Sequence, residues 1–183
     1  MQTLISLLRG INMTGYNSVK MKDLSELYMH LGFTGIETYI QSGNVIFSCP
    51  ESMSSKDIST MLERTIHEKF GYNVPVMIRT IAEIKKLMAD NPFLDESNFD
   101  ASKMAVIFLH VEPSDAQIRK VSGVSYPPDK FKITGTEIYI YCPNGFGRTK
   151  LYTNFFEQKM GVTGTARNWK TISAILQMAE NQI

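Results

Sequence analysis

Cysteine is almost missing from this chain. Its 183 residues include two, Cys49 and Cys142, far apart and outside any C-x-x-C spacing. A disulfide framework and a cysteine-based zinc site are therefore excluded, and no metal is expected. Reduced thiols and a cytoplasmic location follow as expectations. A surplus of one charge is also lacking: nineteen basic side chains meet eighteen acidic ones, a formal net charge of +1. Non-specific nucleic-acid binding draws on a strong basic excess, which the chain as a whole does not have. Nowhere do about 18 apolar residues follow one another, so no membrane span is expected and no membrane partner. The segment from Met1 to Asn12 lacks the basic start and small-residue cleavage site of a secretion signal. There are three histidines, His30, His67 and His110, and no serine or cysteine sits in a nucleophile elbow or dyad motif. The residues therefore name no catalytic set and no cofactor.

What is present is an ordinary globular composition, 43% apolar and 20% charged, in a clear order of elements. Leu4, Ile5, Leu7 and Leu8 form a short strand with little alternation, the pattern of a strand covered on both faces. Leu24, Leu27, Tyr28 and Leu31 recur at helical spacing, and Gly32 stops that helix. Thr38–Ile40 and Val45–Phe47 flank Ser42-Gly43-Asn44, a hairpin in which Gly43 or Asn44 takes φ > 0. Ser54 and Asp57 open a second helix, striped by Ile58, Met61, Leu62, Ile66 and Phe70. Val74, Val76 and Ile78 alternate on a fourth strand, and Pro75 inside it points to a sheet edge. This is βαββαβ, in which the fourth strand lies at the edge and strands one and three are central.

Residues 80–102 read as a linker helix, capped by Thr80 and Glu83, and a polar loop. The order then restarts. Met104–Val111 is a strand, Ser114 with Gln117 caps a short helix, and a hairpin turns at Gly135. A helix around Leu151–Phe156, a strand near 162–167 and a terminal helix from Trp169 complete the set. The expected fold is α+β: two ferredoxin-like subdomains with antiparallel sheets and helices packed on them. They span 1–79 and 103–183, the second including the C-terminal helix, with 80–102 between.

This topology puts the end of the first strand on the same rim as the first hairpin. Arg9, Asn12, Ser42 and Asn44 are expected there, with Lys20 in reach, as a polar, cationic pocket for a phosphate or carboxylate. The same residues have local reasons to be present, since asparagine and serine build turns. A second candidate is the loop Pro143–Lys150, where Gly145 and Gly147 allow close backbone approach and Arg148 and Lys150 supply charge. It reads as leading directly into a helix, with Thr149 as N-cap. Residues 130–170 carry seven Lys/Arg against two Asp/Glu, a local basic patch. The third candidate is Arg167 with Asn168 at the start of the last helix, where Asn168 suits the N-cap and an arginine gains nothing from the helix dipole. Tyr139, Tyr141, Lys130 and Lys132 share one face of the second sheet by alternation, an arrangement that, if open, would stack RNA bases. The aromatic run of an RNA-recognition motif is missing from the central strands, so packing of this face or a dimer interface is the expected use.

Five strings occur in order: Leu7-Leu8-Arg9-Gly10-Ile11-Asn12, then Thr38 to Phe47, Asn91-Pro92-Phe93, Gly147-Arg148-Thr149-Lys150-Leu151, and Ala166-Arg167-Asn168-Trp169-Lys170-Thr171. By these the chain resembles, over nearly its full length, the bacterial family catalogued as domain of unknown function 1697. The resemblance implies a two-part α+β fold of ferredoxin-like character and no established activity. The leading functional expectation is a binding module for an anionic ligand, either a nucleotide-like small molecule or an RNA phosphate backbone. The alternatives are an enzyme acting on a phosphorylated or carboxylated small molecule at the same rim, and a non-catalytic homo-oligomer.

Overall fold

The computed structural model describes residues 1–13, 15–96 and 99–182. It contains two four-stranded antiparallel sheets and six α-helices. The first sheet is built from β1 (Gln2–Leu8), β2 (Thr34–Tyr39), β3 (Asn44–Cys49) and β4 (Val76–Thr80), in the order β2-β3-β1-β4. Helices α1 (Met21–His30) and α2 (Ser55–Phe70) connect these strands, and α3 (Ile81–Ala89) follows β4. The second sheet uses β5 (Met104–Leu109), β6 (Lys130–Thr134), β7 (Glu137–Tyr141) and β8 (Gly164–Asn168), in the order β6-β7-β5-β8. Its helices are the short α4 (Asp115–Arg119) and α5 (Thr153–Met160), and α6 (Trp169–Glu180) follows β8. The two orders are the same order, so both sheets are ferredoxin-like and the second half repeats the first. The chain divides into two compact units, one of residues 1–86 with 174–183 and a second of 87–173.

In the first unit β1 is central, paired to β3 on one side and β4 on the other. Leu4 through Leu8 are all buried, as a strand covered on both faces requires. One face meets the helices: Leu4, Leu8, Val45, Phe47, Val76 and Ile78 pack with Leu24, Leu27, Tyr28, Ile58, Leu62 and Ile66. Tyr28, Phe33 and Phe47 meet at ring-centroid distances of 4.8–6.0 Å. The Tyr28 hydroxyl and Ser6 Oγ share a 2.7 Å hydrogen bond, which satisfies both polar groups inside the core. The caps form where the residue types suggest: Ser54 accepts from Asp57 N–H, and Thr80 exchanges bonds with Glu83.

Strand β4 is the edge strand, but it begins at Val76, two residues later than the alternation from Val74 suggests. Pro75 stands just outside it, where its missing N–H costs no ladder bond and its carbonyl accepts from Arg9 N–H at 2.9 Å. Gly43 takes φ +73° in the β2–β3 turn, as expected, and so does Ile40, at φ +50°.

The second unit packs Ile107, Leu109, Ile138, Ile140, Leu151, Phe156 and Met160 between sheet and helices. Its other sheet face is not an open aromatic platform. Tyr139 and Tyr141 are 2% and 5% exposed. Tyr139 donates its hydroxyl to Leu87 O at 3.0 Å. Tyr141 stacks with both Phe93 and Phe99, at 5.8 and 5.7 Å. These two rings occupy the space that bases would need, so base stacking on the tyrosines is ruled out. One correction concerns Thr149. Its hydroxyl accepts from Leu151 N–H, and α5 begins only at Thr153, with Tyr152 in the N-cap position. The glycine loop therefore does not open directly onto a helix N-terminus.

A Cβ at Gly43 would lie 2.7 Å from Leu8 Cβ and 2.8 Å from Ile11 Cδ1, on a backbone already at positive φ. Gly43→Ala is expected to cost about 3 kcal/mol, the sum of overpacking and left-handed strain, measured by urea unfolding. Burial pushes the Tyr139 hydroxyl up to about 12 and raises that of Tyr28 further. An unfolded tyrosine ionises near 10, so the unfolded chain releases protons that the folded chain retains. Stability is then intact below pH ~10 and falls above it by about 1.4 kcal/mol per pH unit for each such tyrosine. Unfolding midpoints taken across this range should fall less steeply in Tyr139→Phe.

Candidate functional site

The first rim forms at the carboxyl end of β1. Leu8 N–H donates to Gly43 O at 2.8 Å and Arg9 N–H to Pro75 O, so the strand end, the hairpin turn and the entry to β4 meet at one pole. Asn12 joins the loops. Its Nδ2 donates to Val19 O at 2.8 Å and to Gln41 O at 2.9 Å, and its Oδ1 accepts from Val19 N–H at 2.8 Å. Asn17 closes the same loop by donating to Gly10 O. Asn44 is buried and donates to Tyr39 O and Ser42 Oγ. The five rim residues are thus gathered, Lys20 being exposed just before α1. The amides of Asn12 and Asn44, however, are engaged by backbone and by Ser42. Positive charge at this pole comes from Arg9, Lys20 and Lys22.

The second and third clusters lie in the second unit. Gly145 adopts φ +82° after a tight turn in which its N–H donates to Cys142 O, and Phe146–Arg148 form one 3₁₀ turn. Lys103 Nζ stands 3.8 Å from where a Gly145 Cβ would be. Gly147 and Arg148 are exposed. Lys150 Nζ sits 5.2 Å above the Tyr126 ring, within cation–π range. Arg167 has a different setting. It is 7% exposed on β8, opposite Val106 of β5, and its Nη1 donates to Thr165 Oγ1 at 2.7 Å and Ala166 O at 2.8 Å. Burial lowers its pKa to about 10, so it stays charged at neutral pH. Asn168 caps α6 by accepting from Thr171 N–H at 2.8 Å.

Tyr126 leads to a feature that local sequence signals do not mark. Two adjoining depressions, about 480 and 450 Å³, lie beside β6 and share Ser125, Asp129 and Lys130. Phe131 and Ile133 line the larger from one face of β6, and Lys130 and Lys132 from the other, so it wraps the sheet edge. Ile118, Val121 and Val124 supply the opposing apolar wall. Lys130 is bonded to both Glu96 carboxylate oxygens, at 2.7 and 2.8 Å, on the surface. The alternating Lys-Phe-Lys-Ile run is visible in the sequence. The wall that turns it into a cleft is not, because it comes from residues six to fifteen positions upstream folding back. Arg79 escaped notice as well. It is a buried cation on β4, opposite Ile5, and the polar interruption of an apolar strand was its only signal.

Neither thiol is prepared for nucleophilic chemistry. Burial raises the pKa of Cys49 and Cys142, and the Thr149 hydrogen bond offsets this only in part for Cys142. Both sulfurs are held protonated, the unreactive form.

The profile of the family described as "Protein of unknown function (DUF1697)" matches residues 1–139, and the chain belongs to that family. Among solved structures, a conserved bacterial protein from Streptococcus pneumoniae aligns with a TM-score of 0.73 at 20% identity, covering 97% of this chain and 98% of that one. At that identity the likeness speaks for the fold. No curated protein matches the chain in sequence.

Asn12 is the test of how the first rim is held. Asn12→Ala removes three hydrogen bonds and places a Cβ residue other than asparagine at φ +52°. The expected loss is about 3 kcal/mol. Asn12→Gly keeps the bond loss but relieves the backbone and should recover about 1 kcal/mol of it, read as the difference between two urea titrations.

Proposed function

We propose that the second unit is a binding module for an anionic, nucleotide-like small molecule seated in the cleft beside β6. The observation that carries this reading is the pairing of an apolar wall with a lysine edge in one concavity. A flat apolar moiety would lie against Phe131, Val121 and Val124. Its anionic group would meet Lys130 and Lys132, with Lys150 supplying a third cation beside Tyr126. Small-molecule sites have this character: mostly apolar, with a few polar groups fixing orientation. The Lys130–Glu96 pair does not oppose it, because an exposed ion pair is worth roughly 0–1 kcal/mol. A ligand phosphate could take Lys130 at little cost. Asp129, on the same wall, would accept from a ligand hydroxyl or amine.

Thermal melting in the presence of nucleotides and sugar phosphates tests the proposal. A ligand at about 100 times its dissociation constant adds about 2.7 kcal/mol, a rise of roughly 5–10 °C for a protein of this size. Lys132→Glu and Lys150→Glu replace exposed side chains, so both variants should melt like the parent when alone and lose the ligand-induced rise. Unmoved melting with every anion in the panel, or a rise that both variants retain, rejects the cleft as the site.

A further inference from the structure

The pole of the first unit carries a feature that anion binding in the second unit leaves unexplained. Its two loops hold bulky apolar side chains out into water: Met13 is 65% exposed, Tyr16 74% and Ile40 52%. The loops are bound to each other through Asn12 Nδ2 and Gln41 O, so the three side chains are carried by one pair of linked loops. They are also held under strain. Among the described residues, all the non-glycine residues with left-handed backbone lie in these loops: Asn12, Asn17 and Ile40 at φ +52°, +47° and +50°. Asparagine tolerates that conformation, whereas a β-branched residue does so at a cost of about 1–3 kcal/mol. An isoleucine held at that cost with half its side chain in water is not placed there by core packing. Within the two loop segments the charged residues are of one sign. Residues 9–22 contain Arg9, Lys20 and Lys22 and no acidic side chain, and the 40–43 turn is uncharged. In sequence the loops are flanked by Asp23, in the first turn of α1, and by Glu37 on β2.

We propose that this pole docks peripherally on an anionic lipid surface, with Met13, Tyr16 and Ile40 entering the headgroup boundary and Lys20 and Lys22 meeting lipid phosphates. Two observations favour lipid over a nucleic acid. Met13 and Ile40 are aliphatic and have no π-face for a base to stack on. The loop backbone is tied from within, as apolar surroundings demand: Asn12 N–H, Tyr16 N–H, Gly10 O, Val19 N–H and O, and Gln41 O all have partners. Tyrosine is a residue of the lipid–water boundary. Among the described residues no helix is long and apolar enough to cross a membrane, and docking on a surface needs none.

The experiment is co-sedimentation of the full chain with vesicles of phosphatidylcholine alone and of phosphatidylcholine mixed with phosphatidylglycerol. Partition onto the mixed vesicles is expected, with little onto the neutral ones. Lys20→Ala and Lys22→Ala should each lower it about fivefold, as expected for one cation near an anionic surface. Ile40→Asn should lower it about tenfold, the effect of losing roughly half an isoleucine's burial, while melting at or above the parent temperature. Met13→Ser should act in the same direction on a side chain that carries no strain. No partition onto the mixed vesicles, partition unchanged in both Ile40→Asn and Met13→Ser, or full displacement by inorganic phosphate would overturn the proposal. So would tighter binding to an oligonucleotide than to the vesicles.

Discussion

The burial of a central strand on both of its faces is the constraint from which the rest follows. Strand β1 offers side chains to two sides, and Leu4, Ile5, Leu7 and Leu8 leave neither side able to face water. Such a strand must be interior to its sheet, so β3 and β4 take its two edges, and β2 is left to extend the sheet beyond β3. Once β1 is interior, its carboxyl end has no freedom. It delivers Arg9 between the hairpin turn and the β4 entry, and Gly43 must lack a Cβ because Leu8 and Ile11 already fill that space. The polar rim is thus a consequence of apolar packing, because the residues gather where the buried strand surfaces.

The same constraint operates a second time in β5, whose six residues are all buried. The repeat reaches below topology to individual positions. Arg79 on β4 faces Ile5 of β1, and Arg167 on β8 faces Val106 of β5. Each sits on the sheet face away from its helical core, and each donates from Nη1 to the carbonyl of the residue before it, at 2.9 and 2.8 Å. Each is followed at once by a side-chain cap, Thr80 for α3 and Asn168 for α6. Two halves without clear residue identity keep a buried arginine and a capping residue in register. That agreement in detail supports an internal duplication better than the shared strand order does, because strand order is common to many unrelated chains.

Local chemistry was legible in the sequence and tertiary coincidence was not. The caps at Ser54, Thr80, Ser114 and Asn168 are written in side chains within three residues of their partners, and each forms as read. Pro75 and the apolar β1 together were enough to place the strands. Thr149 misleads for a local reason as well: its hydroxyl bonds two residues ahead, a turn that competes with helix initiation. The tyrosine face is packed, as the missing RNA-recognition run suggests, but the groups that pack it were not legible. Alternation reports which face a side chain takes but is silent on what covers it, and Phe93 and Phe99 stack with Tyr141 from some 40 positions away. The β6 cleft lies beyond local reading on the same ground, since its apolar wall and its lysine edge belong to separate segments.

Which cations can bind a ligand follows from how their donors are used. Arg167 and Arg79 are buried and bond the carbonyls of their own strands, so their guanidinium groups stiffen β8 and β4 from within. Taking one out of that setting would expose the very carbonyls it serves. Lys132 and Lys150 are exposed, and Lys150 holds its ammonium over the Tyr126 ring. An ammonium is a point charge and imposes little geometry on a phosphate, unlike the fixed fork of an arginine. In the proposed cleft, charge would therefore attract without choosing. Selection among anions would fall to the apolar wall of Ile118, Val121 and Val124, whose shape decides what can lie beside the phosphate.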